Sequence, residues 1–165
     1  MRVRPATSSS VSRRSWLAVG LVGICCLAAL VVVAGTTPTL VVTNSSDETL
    51  LSSPVTEGSE LVVEYTHSVE QTLVRDIYVV DDGALVMTRM EFSSFGAGLP
   101  AQADVTVENG RYVYEPPTQR YETLRITTGS VADHDLVVDG QRYDIAALAA
   151  GGTVELEIQE RRLLR

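Results

Sequence analysis

Histidine occurs only twice in the 165 residues, and each copy has a polar neighbour: His67 in His67-Ser68-Val69-Glu70 and His134 in Asp133-His134-Asp135. Imidazole is the side chain whose ordinary charge change falls near neutrality, so these positions are the first candidates for proton transfer, metal ligation or ligand binding. Two readings stand. In one, both are core-edge histidines whose ring nitrogens are satisfied by backbone or hydroxyl groups. In the other, the fold gathers them at one end of the molecule, with Glu70 or Asp133 completing a polar pocket. A zinc site needs at least three placed ligands, and there is no His-x-His or Cys-x-x-Cys spacing, so no metal or other cofactor is expected. His67 cannot activate Ser68 on a regular strand, where neighbours point to opposite faces. There is no G-x-S-x-G elbow and no cysteine after Cys26. A metal-dependent or serine hydrolase would have to be assembled by the fold from His67, Glu70, Asp133 and His134, with Ser68, Ser93 or Ser94 as nucleophile.

The segment Phe95-Gly96-Ala97-Gly98-Leu99-Pro100 is the other piece with chemical potential. Gly96 and Gly98 permit backbone angles closed to other residues, and Pro100 stiffens the exit. Such a loop can aim several N–H groups at one point and hold a carboxylate or other anion, with Arg75 near enough in sequence to assist. It can equally be a tight sheet-crossing turn with Phe95 and Leu99 plugged into the core. A ligand or partner surface is expected from His67, Glu70, Phe95, Gly96, Gly98, Pro100 and His134.

These residues must be positioned by strands. Glu60–Ser68 suits a pleated surface, with Leu61, Val63, Tyr65 and His67 on one face. Asp82-Gly83, Asn109-Gly110 and Asp139-Gly140 are two-residue hairpin turns. The first joins Asp76–Asp81 to Ala84–Phe92 and sets Asp76 opposite Arg89, an exposed pair worth at most about 1 kcal/mol. Apolar residues on both faces near that turn predict partial burial on two sides. The second sets Glu108 opposite Arg111, Val107 opposite Tyr112 and Val105 opposite Tyr114, giving one apolar face. The third sets Val138 opposite Gln141, Leu136 opposite Tyr143 and His134 opposite Ile145. Leu124 and Ile126 mark another strand, and Thr153–Gln159 alternates with Val154, Leu156 and Ile158 inward. Only Ile145–Ala150 looks helical, ended by Gly151-Gly152. Short strands, three hairpins and almost no helix predict an all-β antiparallel sandwich, with an open barrel as the alternative.

Twenty uncharged residues, Trp16–Gly35, precede these strands. A helix of that length spans a bilayer of roughly 30 Å. Arg2, Arg4, Arg13 and Arg14 lie before it with no acid. After it come nine arginines against 21 acids, a formal −12, and the chain has no lysine. Positive flanks stay inside, so the expectation is a cytoplasmic segment over 1–15, an anchor over 16–35, a membrane-proximal segment with the first strands over 36–59, and an extracytoplasmic β core over 60–165. The stretch is longer than a usual signal core and no A-x-A pattern follows, which favours an uncleaved anchor; Ser12-Arg13-Arg14-Ser15 also has twin-arginine character, and Ile24 argues against lipidation at Cys25. The acidic surface would repel nucleic acid and suits a protein working in strong salt. Both cysteines fall inside the apolar run, so the outer domain holds itself together without a disulfide. Asn44-Ser45-Ser46 matches a glycosylation sequon.

Three stretches stand out from ordinary strand-and-turn sequence: Tyr65-Thr66-His67-Ser68-Val69-Glu70-Gln71-Thr72, Phe92-Ser93-Ser94-Phe95-Gly96-Ala97-Gly98-Leu99-Pro100, and Gly129-Ser130-Val131-Ala132-Asp133-His134-Asp135-Leu136. With its "HSVE-T", "SFGAGLP" and "ADH-L" patterns the chain resembles the family known as domain of unknown function 1850. That resemblance implies a small membrane-anchored extracytoplasmic protein whose gene often lies beside tripartite ATP-independent (TRAP) transporter permeases. It supplies no catalytic residue. The expectation is therefore a non-enzymatic accessory or binding module of a TRAP-type solute transporter; the alternatives are the hydrolase above or a structural cell-surface domain.

Overall fold

The computed structural model describes residues 36–96, 99–100, 104–129 and 131–162. The apolar run Trp16–Gly35, and with it the expected anchor, lies outside them; among the described residues no helix is long and apolar enough to cross a membrane. Residues Thr37–Arg162 make one compact unit.

Four strands form one sheet in the order β2 (Thr49–Pro54), β1 (Thr36–Asn44), β12 (Thr153–Arg162), β9 (Thr123–Thr127). The larger sheet runs β11 (Gln141–Asp144), β10 (Asp135–Val138), β3 (Glu60–Thr66), β4 (Leu73–Asp81), β5 (Ala84–Phe92), β7 (Arg111–Tyr114), β6 (Val105–Glu108), with β8 (Gln119–Tyr121) paired to the first half of β5. The sheets are antiparallel and do not close into a barrel, so the sandwich-like architecture forms rather than its alternative. Strand alternation buries Leu40 and Val42 of β1, Leu124 of β9, and Val154 and Leu156 of β12 in one cluster with Leu61 and Val63 of β3, Tyr78 and Val80 of β4, Leu85 and Met87 of β5, and Leu136 and Val138 of β10. Each such aliphatic side chain contributes about 1.5–3 kcal/mol by leaving water. Among the described residues the one helix, short α1 (Ile145–Leu148), starts where the Asp144 carboxylate accepts the Ala147 N–H at 2.7 Å, and it adds the fully buried Ile145 to that core. A second, smaller cluster joins Val74, Phe92 and Leu99, flanked by Tyr65, Met90, Val105, Tyr112 and Tyr114.

The three hairpin turns form as expected, with positive φ at both central residues: Asp82 and Gly83 at 45° and 72°, Asn109 and Gly110 at 50° and 80°, Asp139 and Gly140 at 45° and 87°. The second hairpin has the expected register throughout, although Val107 at its tip stays 66 % exposed because β6 is an edge strand. In the third, Leu136 faces Tyr143 and Val138 faces Gln141, but strand pairing ends at Asp135; His134 meets α1 instead, its carbonyl accepting the Ala146 N–H.

The first hairpin departs from expectation. Val79 faces Val86 and Tyr78 faces Met87, but Ile77 faces Arg89 and Asp76 faces Met90. Thr88 is an extra residue, a β-bulge, and its hydroxyl donates to the Ile77 carbonyl at 3.3 Å. A flush ladder would have set Arg89 against Asp76 and turned Met90 and Phe92 outward, since a one-residue slip exchanges the faces. Covering Phe92 wholly and Met90 in part is worth several kcal/mol, roughly 2–5, whereas the Asp76–Arg89 pair would have lain on the inner face, where desolvating two charges offsets much of their attraction. The bulge therefore wins. Arg89 goes to the outer face, bonded to Glu108 at 2.6 Å and 3.0 Å from Glu91. There it extends a chain of alternating charges, Asp135–Arg142–Glu64–Arg75–Glu91, that crosses the sheet. Burial would raise the Glu64 carboxyl, yet hydrogen bonds from Arg142 and Arg75 outweigh it and hold Glu64 below the usual carboxylate range. Asp76 is left on the inner face.

Candidate functional site

The turn from β3 to β4 is where the sequence motifs meet. It is closed by the His67 N–H on the Thr72 carbonyl and the Gln71 N–H on the His67 carbonyl, each at 2.8 Å, with Gln71 at φ 52°. The His67 ring is buried, and its Nδ1 accepts the Glu70 N–H at 3.2 Å, which puts the proton of the neutral ring on Nε2. The second motif packs onto this turn: Thr72 and Ser94 share a hydroxyl hydrogen bond at 3.0 Å, and a Cβ placed on Gly96 would stand 2.7 Å from Glu70 Cγ and 2.9 Å from His67 Cε1. Leu99 is buried in the smaller cluster, and its N–H is committed to the Gly96 carbonyl at 3.1 Å. Phe95 lies across Phe92 and Tyr112 but remains 42 % exposed, so of the two apolar side chains only Leu99 is plugged in. Pro100 is partly buried beside Leu99, and Gly98 lies outside the described residues.

The third motif is laced to the first through the backbone, the Thr66 N–H donating to the Ala132 carbonyl at 2.7 Å. His134 follows, buried and stacked on Tyr65 with ring centroids 5.1 Å apart and planes 20° from parallel. Its Nδ1 lies 2.6 Å from the Thr128 carbonyl. A carbonyl only accepts, so Nδ1 carries the proton and Nε2 of the neutral ring keeps a lone pair. Burial favours that neutral form and lowers the His134 pKa, partly offset by the Thr128 bond and the charge of Asp133. The structure thus joins His67, Glu70 and Gly96 at one turn, while His134 stands on the inner-face side of Tyr65.

On that side a hollow of about 280 Å³ opens between edge strand β9 and the inner face of the larger sheet. It is lined by Val63, Tyr65, Asp76, Tyr78, His134 and the stretch Leu124–Thr127. Asp76 is the residue that sequence reasoning assigned elsewhere. Its Oδ1 is fully buried with no hydrogen-bond partner among the described residues, and burial pushes the carboxyl up to about 7. The same environment raises both tyrosines: burial first, then the negative charge of Asp76. Arg125 touches the rim, but its guanidinium is bonded to Glu155 at 2.6 Å and faces away with it. A signal for Asp76 did exist, because Val74, Asp76, Tyr78 and Val80 keep step on one face of β4. Among the described residues no three His, Cys, Asp or Glu side chains come together to hold a metal ion.

A family model described as domain of unknown function (DUF1850) matches residues 61–145, just over half of the chain. The protein belongs to the DUF1850 family. No curated protein and no solved structure matches this chain. The matched span runs from β3 to the first residue of α1, so the DUF1850 core contains all three motifs and every residue lining the hollow, while β1, β2 and β12 lie outside it.

Within that core, Gly96→Ala tests the contact between the first two motifs. Glu70 is exposed and can swing aside, but the buried His67 ring cannot. The expected cost is about 1–3 kcal/mol of stability, read as a lowered melting temperature, with no change in strand content by circular dichroism.

Proposed function

We propose that this DUF1850 protein is a non-enzymatic accessory or binding module, held at the outer face of the cell membrane by Trp16–Gly35 and working beside a TRAP-type solute permease. Its ligand site is the hollow under β9. The observation that carries this reading is Asp76: among the described residues, a carboxyl with one oxygen, Oδ1, shut off from solvent and no ion-pair partner, at a concave site walled by two tyrosines, a histidine and aliphatic side chains. Stranding a carboxyl costs stability, and strongly displaced carboxyls in clefts are a mark of functional sites. Among the described residues no serine or cysteine lines the hollow, whose walls are two tyrosines, a histidine, an aspartate, the Leu124–Thr127 stretch and a valine. The transporter partnership rests on the family resemblance and the apolar anchor.

Two measurements test it. Full-length protein in detergent is melted against a panel of solutes spanning cations, anions and neutral molecules; a stabilising solute of any class supports the binding module, and none at millimolar concentration overturns it. Cross-linking in native membranes is expected to recover a solute permease, and repeated recovery of none would remove the partnership.

A further inference from the structure

From the polar groups of the hollow we infer that its ligand is a small organic cation bearing ammonium N–H groups, held by the Asp76 carboxylate and the His134 Nε2 lone pair between aromatic walls. The inference rests on the binding-module reading and adds the class of ligand.

Each polar group with a fixed role asks for a donor. Asp76, when ionised, can only accept, and one of its oxygens, Oδ1, has no partner among the described residues. His134 has spent its N–H on the Thr128 carbonyl, so Nε2 also accepts. Among the described residues no cation supplies the missing charge. Arg89 is drawn to the outer face by the Thr88 bulge, and Arg125 is clamped to Glu155. An anionic ligand would meet a like charge and find among the lining residues only Arg125, which is already bonded to Glu155. A cation would restore to Asp76 the partner that the bulge withholds, at a partly buried position where the attraction is screened less than on the open surface. The walls agree with that charge: Tyr65, Tyr78 and the stacked His134 ring present aromatic surface, which attracts ammonium groups, while Val63, Leu124 and Ile126 suit a short apolar body. At about 280 Å³ the space lies at the lower end of ligand pockets, which limits the body to one ring or a short chain.

Proton linkage fixes a second signature. The titratable and charged groups around Asp76 are Tyr65 from β3, Tyr78 from β4, His134, and Arg125 of β9, which is bonded to Glu155; Met90 of β5 and Leu124 and Ile126 of β9 are apolar. The tyrosines stay neutral through the physiological range because their pKa values are raised, and protonation of His134 on acidification would add a repelling charge. Both titrations therefore weaken cation binding as the pH falls.

The test uses full-length protein in detergent and three isosteric probes, benzylammonium, benzyl alcohol and benzoate, in isothermal titration. Benzylammonium is expected to bind at least about tenfold more tightly than either other probe, and about tenfold more tightly at pH near 8 than at pH near 6. Asp76→Asn should abolish the preference and flatten most of the pH dependence, leaving only the His134 contribution, and Tyr65→Leu should weaken benzylammonium several-fold while keeping the full pH dependence. Equal binding of benzoate or benzyl alcohol, unchanged benzylammonium affinity in Asp76→Asn, or no benzylammonium binding at about 10 mM would overturn the assignment. The two readings fail separately. If an anionic solute from the wider panel stabilises the protein while benzylammonium does not bind, the binding module stands and the cation falls; if no solute of any class binds, both fall.

Discussion

Asp76→Asn is expected to stabilise the protein by about 2–4 kcal/mol at pH near 8 and to leave it nearly unchanged at pH near 4. In the unfolded chain this carboxyl titrates in the ordinary carboxylate range, whereas in the folded protein burial pushes it up to about 7. Between those values the native state holds a proton that the unfolded chain has released, so stability falls as pH rises. The favourable protonation is fully in force below the unfolded value and is lost as pH passes through about 7, above which the buried negative charge weighs on the fold in full. A displacement of that size corresponds to roughly 4 kcal/mol, trimmed by the water that enters the hollow. Asparagine removes the charge at similar volume. Melting of the two proteins across this pH range, followed by tyrosine circular dichroism, gives the difference directly. All six tyrosines lie in the β domain and the single tryptophan, Trp16, lies outside it, so the tyrosine signal reports on the sandwich alone. The other acids contribute the same slope to both proteins and cancel. A difference that does not grow with pH would mean that Asp76 is not desolvated.

Phe92→Ala should cost about 3–5 kcal/mol, the largest loss expected from any single truncation discussed for this domain. Phe92 is wholly buried and pairs across the sheet with Val74; its ring lies 5.3 Å from that of Phe95 and 5.6 Å from that of Tyr112. Removing it deletes most of the smaller cluster and leaves a cavity beneath Leu99 that rigid strands cannot collapse to fill. The melting temperature should fall by roughly 10–20 °C for a domain of this size, and amide exchange at Leu99 should accelerate, because its bond to Gly96 loses the packing that holds it. A loss below about 1 kcal/mol would show that the cluster contributes little.

Much of the fold was legible in the sequence because hairpin turns are local events. Asp82-Gly83, Asn109-Gly110 and Asp139-Gly140 fix their own backbone angles, and register follows outward from each turn. The alternation of Val154, Leu156 and Ile158 and the short helix after Asp144 were equally plain. Sheet membership was not, since whether β9 lies beside β12 or beside β8 depends on long-range packing that no short window contains. The bulge escaped for a different reason. Val86-Met87-Thr88-Arg89-Met90 has no glycine to announce an extra residue, and the charge match between Asp76 and Arg89 made the flush ladder look satisfied. Of the candidate site, the meeting of His67, Glu70 and Gly96 follows from motifs that cluster around one turn. Asp76 needed the observation that an acid was keeping step with Val74, Tyr78 and Val80.

Thr88 behaves like a one-letter insertion in a reading frame. On the turn side of it, β5 faces as Asp82-Gly83 dictates; beyond it, the strand faces as Met90 and Phe92 demand. The electrical character of the space under β9 is thus written by two greasy side chains further along another strand, which had no need of the arginine that they displaced.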